Sequence, residues 1–158
     1  MDAASLRKKA MDALARREHS FFELTKKLQD KHPEAEESQI QFVLERLRSQ
    51  KLQSDARFVE SFIRYRKSKG FGFHHIKTDL LRRGVGRDLI DDLLNIRDDD
   101  WAELAMNLVT RKGALLKGFS FGSSEYHRLA RLLKSRGFPS TVSSEILKAY
   151  IFQHAKKG

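Results

Sequence analysis

The sequence has no cysteine and no long hydrophobic run, and each absence excludes a class of protein. Without cysteine there is no disulfide framework, no thiol nucleophile and no thiolate-bound metal. No apolar stretch approaches the roughly 18 residues that a membrane-spanning helix needs. The charged segment Met1 to Ala10 also lacks the apolar core of a signal peptide. We therefore expect a cytoplasmic protein that does not bind a membrane.

Residues that favour strands are scarce, and so is proline. Leucine occurs 20 times, valine, isoleucine and threonine together occur 16 times, and there are two prolines. This mixture favours helices. Apolar residues recur at helical spacing in nine stretches, which predicts an all-α protein of nine helices. The predicted inward faces are Leu6, Ala10, Ala13 and Leu14; Phe21, Leu24 and Leu28; Ile40, Val43, Leu44 and Leu47; Phe58, Val59, Phe62 and Ile63; Ile76 and Leu80; Leu89, Ile90, Leu93 and Leu94; Trp101, Leu104, Ala105, Leu108 and Val109; Tyr126, Leu129, Ala130 and Leu133; and Val142, Ile146, Leu147, Tyr150 and Ile151.

Capping residues mark several helix ends. Ser20 and Glu23 have the spacing of a capping box, which satisfies the free N–H groups of a first helical turn. Gly84 and Gly137 stand where a helix C-terminus favours a left-handed residue. The carboxylates of 98–100 precede Trp101, at a position where a helix N-terminus favours negative charge.

An internal repeat accounts for the number of helices. The segments that begin at Leu80 and Leu133 share an apolar and glycine pattern at a constant offset of 53 residues. The first third of the chain fits the same pattern after a short insertion. We predict three tandem three-helix repeats in an elongated array, in which each repeat mainly contacts its neighbours. Their predicted ranges are 1–53, 54–97 and 98–158.

The motifs that would indicate an enzyme are incomplete. None of the six histidines lies four residues from another on a helix, so no pair has zinc-binding spacing. Gly113 and Gly118 have phosphate-loop spacing, but Phe119 stands where that loop requires lysine. We therefore predict a loop between helices over 111–122, and we expect no catalytic residue, no metal and no cofactor.

A second partial motif lies between two predicted helices. The segment 69–73, Lys-Gly-Phe-Gly-Phe, matches the first five positions of an RNA-recognition octamer. His74 then replaces valine and Ile76 replaces the last aromatic residue, and the flanks are helical. A motif counts only in its structural context. We therefore predict a turn in which Phe71 or Phe73 packs inward.

Positive charge is the strongest indication of a partner. Lysine and arginine number 31 against 21 acidic residues, which gives a net charge of +10. Residues 1–54 carry +2, residues 55–100 carry +1, and residues 101–158 carry +7. Such an excess indicates a polyanionic partner or an acidic protein groove. The candidate binding residues are Arg64, Arg66, Lys67, Lys69, Arg82, Arg83, Arg128, Arg131, Lys134 and Arg136.

Three segments together resemble a known family. The segment 14–20 is Leu-Ala-Arg-Arg-Glu-His-Ser, and Glu23 and Leu24 follow it. The segment 55–62 is Asp-Ala-Arg-Phe-Val-Glu-Ser-Phe, with two glycines downstream, and 132–138 ends in Arg-Gly-Phe. With one motif in each repeat, the chain resembles over nearly its whole length RecX, a bacterial regulatory protein that acts on the RecA recombinase.

The resemblance implies a curved row of three-helix repeats. It also implies that the protein binds RecA and its nucleoprotein filament, and that it limits filament extension, ATP hydrolysis and strand exchange. We assign the candidate basic residues to this binding, and we expect a monomer with weak direct affinity for DNA. By contrast, we interpret Arg16, Arg17, Glu18 and Ser20 as structural residues around a helix cap.

Two other functions fit the same composition. An autonomous basic helical nucleic-acid-binding module would bind DNA or RNA without a protein partner, and salt would weaken that binding. A helical-repeat adaptor would bind another protein, with little dependence on nucleic acid. If the family resemblance is right, the filament is preferred over free DNA.

Overall fold

A computed structural model describes residues 1–113 and 121–155 of the chain. All regular secondary structure in these residues is α-helical, which confirms the predicted fold class. The helices in the described ranges are α1 (Ala3–Arg16), α2 (Phe21–Lys31), α3 (Glu37–Ser49), α4 (Asp55–Ser68), α5 (Phe73–Arg82), α6 (Arg87–Leu93), α7 (Asp100–Gly113), α8 (Ser124–Ser135) and α9 (Ser140–Ala155).

The helices pack into two compact units. The first unit comprises Met1–Phe62 and Asp79–Leu93, and the second comprises Ile63–Thr78 and Leu94–Gly158. Helices α4 and α5 therefore contribute residues to both units. The boundaries of the three repeats stay a prediction.

The first unit is built around α1, α2 and α3, which pack against one another. Their apolar residues recur every three or four positions, so one face of each helix is buried. Each large aliphatic side chain buried there contributes about 1.5–3 kcal/mol to stability. Its core comprises Leu6, Ala10, Ala13, Leu24, Leu28, Ile40, Val43, Leu44 and Leu47, all of them on predicted inward faces.

The second unit contains α7, which packs against both α8 and α9. Trp101 is fully buried at the start of α7, and its indole N–H donates to the carbonyl of Asn95 over 2.7 Å. This bond satisfies a donor that burial would otherwise leave unpaired. Leu129 and Leu133 of α8, with Leu147 and Tyr150 of α9, are also buried there.

The predicted helix ends are confirmed at three places. Ser20 and Glu23 form a complete capping box at the start of α2. Gly84 and Gly137 follow α5 and α8 with φ angles of +76° and +90°. The segment 69–72 forms a turn before α5, in which Phe73 is buried.

The loop predicted over 111–122 is wrong at its start. Arg111 and Gly113 belong to the last turn of α7, and a Cβ at Gly113 would collide with the ring of Tyr150. Gly118 and Phe119 lie outside the described residues. No described helix is both long and apolar enough to cross a membrane.

Candidate polyanion-binding site

In the second unit, two turns form the base of a cationic site. The N–H of Gly72, between α4 and α5, donates to the carbonyl of Arg136 over 2.7 Å. The N–H of His74 donates to the carbonyl of Gly137, between α8 and α9, over 2.9 Å. A Cβ at Gly72 would lie 2.7 Å from the nitrogen of Phe138, so only glycine permits this approach. The contact fixes the two turns side by side.

Because the turns meet, cations from both converge around Phe71. The guanidinium carbon of Arg66 lies 5.0 Å from the centroid of the Phe71 ring, and that of Arg136 lies 5.2 Å from it. Both distances are in the range of cation–π attraction. The Arg136 guanidinium also donates to the carbonyl of Lys69 over 3.5 Å. Phe71 therefore positions arginines rather than filling a core.

A cleft of about 300 Å³ opens beside this cluster. The nearest guanidinium nitrogens of Arg111 and Arg136 each lie 3.8 Å from the point that a Cβ would occupy at Gly70. Two cations that face one point repel each other, and an anion between them would relieve that repulsion. Within the described residues, the lining of this cleft contains no carboxylate. It consists of Leu108 and four cations: Lys69, Arg111, Lys112 and Arg136.

The predicted binding residues occur in three settings: half-buried around Phe71, exposed, or held in ion pairs, as Lys67 and Arg83 are. Arg66 and Arg136 are half-buried around Phe71, as described above. Six others are exposed: Arg64, Lys69, Arg82, Arg128, Arg131 and Lys134. The predicted set lacks Arg111 and Lys112, both exposed on α7, because they lie in the segment that was predicted to be a loop.

Lys67 has an intramolecular role in the second unit. Its Nζ lies 2.7 Å from a carboxylate oxygen of Asp98 and 2.9 Å from one of Asp100, and 4.7 Å from the Trp101 ring centroid. Burial alone would lower the pKa of Lys67, but the hydrogen bonds that it donates to both carboxylates outweigh burial and raise that pKa. This lysine joins α4 to the start of α7.

Arg83 also has an intramolecular role, in the first unit. One of its guanidinium nitrogens donates to Glu23 over 2.6 Å, and its carbonyl accepts from the Ser20 hydroxyl over 2.7 Å. Glu23 also accepts from Arg17 and from the Ser20 N–H. Burial alone would raise the pKa of Glu23, but these hydrogen bonds outweigh it and lower that pKa.

The residues around the first capping box have the predicted structural role. Arg17 pairs with Glu23 over 3.2 Å, and Glu18 pairs with Arg57 over 3.1 Å. The neighbouring His19 is buried, and desolvation lowers its pKa. Arg16 differs from them because its side chain is exposed on a cleft beside α2.

Cations on α8 form a separate exposed row in the second unit. Arg128, Arg131 and Lys134 follow one another at intervals of three residues, so they occupy neighbouring positions on the helix surface. No group of His, Asp or Glu side chains within the described residues is arranged to hold a metal ion. The charged side chains that cluster beside the two turns are cations.

Known proteins resemble this chain in sequence and in fold. A family model described as RecX, second three-helix domain, matches residues 54–94. The regulatory protein RecX of Pseudomonas putida (strain W619) is 38% identical over 143 residues, which cover 90% of this chain and 89% of that protein. The regulatory protein RecX of Pseudomonas entomophila (strain L48) is 43% identical over 110 residues, 70% of each chain.

Two solved structures share the fold. A crystal structure of regulatory protein RecX has a TM-score of 0.78 and 25% identity, and the match covers 91% of this chain and 72% of that one. The crystal structure of RecX from Lactobacillus salivarius has a TM-score of 0.74, with 94% of this chain and 96% of that one covered. At 20% identity, the second is similar in fold alone.

Proposed function

Because this chain belongs to the RecX family, we propose that it regulates RecA by binding RecA and its nucleoprotein filament. Binding limits filament extension, ATP hydrolysis and strand exchange, and so acts on homologous recombination, DNA repair and the SOS response. The protein does this in the cytoplasm as a monomer of three tandem repeats, without catalysing a reaction. The observation that carries the proposal is the cationic cleft beside Phe71.

A nucleoprotein filament offers the ligand that such a cleft requires. Its groove presents DNA phosphates and protein carboxylates, and the lining of the cleft is cationic except for Leu108. Several contacts spread along a filament act as linked sites, so their avidity exceeds the affinity of each one. A ligand that bridges neighbouring RecA subunits can hold one conformation and stop the step that hydrolysis or growth requires. No catalytic group is needed for this.

The surroundings of each cation refine the binding surface. We assign the contacts with the filament to the exposed cations, and we add Arg111 and Lys112 to them. Arg66 and Arg136 shape the cleft through Phe71. Lys67 and Arg83 contribute less, since their ion pairs already use their charge. Of the exposed predicted residues, Arg82 lies in the first unit, and the others, Arg64, Lys69, Arg128, Arg131 and Lys134, lie in the second.

The test is RecA ATP hydrolysis on single-stranded DNA at fixed salt, with the protein titrated below one molecule per RecA. The variant combines Lys69→Gln, Arg111→Gln and Lys112→Gln, which are all exposed and outside the core. Each exposed charge pair contributes roughly 0.2–1 kcal/mol. The concentration for half-inhibition should therefore rise about 3- to 150-fold.

A matched control separates the cleft from net charge. Lys8→Gln, Arg97→Gln and Lys148→Gln also remove three exposed cations, and so also lower the net charge from +10 to +7. The control variant should inhibit as the original chain does. If both triple variants lose equal potency, the cleft is not the site. If the original chain binds bare nucleic acid tightly but leaves RecA hydrolysis unchanged, the protein is an autonomous nucleic-acid-binding module.

A further inference from the structure

The first unit carries a second cationic surface, on α2. A cleft between α1 and α2 has a volume of about 140 Å³, and a second cleft, of about 370 Å³, lies between α2 and the end of α5. Lys27 of α2 lines both clefts, so one strip of surface joins them. The cations of this strip that form no ion pair within the described residues are Lys9, Arg16, Lys26, Lys27, Lys31 and Arg82.

The charge of this strip is not balanced by its acids. Glu23 lines the larger cleft but is held by Arg17 and Arg83, which leaves Asp30 in that cleft and Asp12 in the smaller one. Desolvation first, and then the like charges of Lys31 and two arginines, lower the pKa of Lys27. The strip therefore has a positive potential that a polyanion would neutralise.

An aromatic ring stands within the same strip. Phe22, the second residue of α2, is 50% exposed although its ring is large and apolar. It lies against Gly84, where a Cβ would collide with the Phe22 side chain. Glycine at 84 therefore lets the Phe22 side chain lie against the backbone, and half of that side chain stays in solvent. Lys26, Lys27 and Arg82 line the cleft beside it.

We propose that the first unit binds single-stranded nucleic acid along α2, with Phe22 as the platform on which one base stacks. Cations that follow the phosphates, interleaved with an exposed ring, are the general means of binding single strands without sequence preference. A duplex would not use the ring, because its bases are already stacked on one another. The smaller cleft suits phosphates rather than a base, since it has less than half the volume of the larger one and four of its lining residues are cations.

This proposal does not rest on the regulation of RecA, and its test contains no RecA. Fluorescence anisotropy measures binding of a labelled thymidine oligonucleotide of about 12 nucleotides, and of an abasic strand of equal length. Stacking on an aromatic side chain contributes roughly 1–3 kcal/mol per base, so the chain should prefer the thymidine strand about 5- to 150-fold.

Phe22→Leu removes the aromatic face and keeps the carbon atoms that contact Gly84. It should abolish the preference for the thymidine strand and leave affinity for the abasic strand unchanged. Phe152→Leu is the matched control, because Phe152 is 63% exposed on α9 and lies outside the strip. The Phe152→Leu variant should prefer the thymidine strand as strongly as the original chain does.

A second variant tests the phosphate contacts. Lys26→Gln with Lys27→Gln should weaken both strands alike and reduce the slope of log affinity against log salt by about 1.4. Arg97→Gln with Lys148→Gln removes equal charge outside the strip and should leave the slope unchanged. The proposal is overturned if Phe22→Leu keeps the preference. It is also overturned if a polyglutamate peptide displaces the oligonucleotide at equal concentration, since the strip would then be an acidic-protein surface.

Discussion

Replacing Gly72 with alanine is expected to lower the free energy of unfolding by about 4 kcal/mol. The added Cβ would lie 2.7 Å from the nitrogen of Phe138 and 2.8 Å from the carbonyl carbon of Gly137. Both are backbone atoms and cannot rotate away, so the two turns must separate. Separation lengthens the hydrogen bonds to Arg136 and Gly137, which contribute roughly 0.5–1.5 kcal/mol each. Overpacking adds roughly 1–3 kcal/mol.

The measurement is urea unfolding followed by circular dichroism, together with thermal melting. For a chain of this size 1 kcal/mol corresponds to about 2–4 °C, so the melting temperature should fall by about 8–16 °C. Gly86→Ala is the matched control, because no atom lies within 4 Å of a Cβ at Gly86. It should change stability by less than about 1 kcal/mol in either direction, because Gly86 precedes α6 as its N-cap and alanine there weakens the cap while it restricts the unfolded chain. A Gly72→Ala variant within about 1 kcal/mol of the original chain would refute the reasoning.

Two ion-pair networks give further predictions. Glu23→Gln should cost about 2 kcal/mol at neutral pH, since the bond to Arg83 is mostly buried. Because the folded-state pKa of Glu23 is lowered, that stability is present above about pH 4.3 and is lost as pH falls further. Urea midpoints of the two proteins should therefore converge in acid, and a constant difference would contradict the assignment. Lys67→Gln should cost about 1–2 kcal/mol and should raise the lowered pKa of Asp98 toward its ordinary value, as measured by NMR titration. The affinity of the Lys67→Gln variant for RecA filaments should stay within about twofold of that of the original chain. A larger loss of affinity would show that Lys67 contacts the filament.

Helix faces could be predicted from the sequence because they depend on local spacing. Leu24 and Leu28 lie one turn apart, and both are buried. The end of α7 could not be predicted, because glycine ordinarily disfavours a helix interior. Gly113 is nevertheless helical and packs against Tyr150 of α9, and no pattern near Gly113 indicates that contact. The missed helical turn also carries Arg111 and Lys112.

The cations could be located from the sequence, but their partners could not. Lys67 and Lys69 look equivalent at the end of α4, since both are lysines in a basic segment. Asp98 lies 31 positions from Lys67, and only packing of α7 brings its carboxylate within 2.7 Å. Within residues 1–113 and 121–155 no carboxylate pairs with Lys69, which stays exposed and lines the cleft with Arg136. Charge alone therefore overestimates a binding surface wherever long-range ion pairs form.

Two motifs that support the family resemblance are the two sides of one contact. The glycines of 69–73 look like part of a base-stacking motif, but Gly72 is needed because the backbone of Gly137 passes against it. Arg136 precedes Gly137, so the same contact that excludes a Cβ also brings a guanidinium to Phe71. Loss of either glycine should therefore separate the turns and disperse the cations. In this chain the arrangement of charge in the second unit depends on close backbone packing, and a variant that preserves every cation can still lose the site.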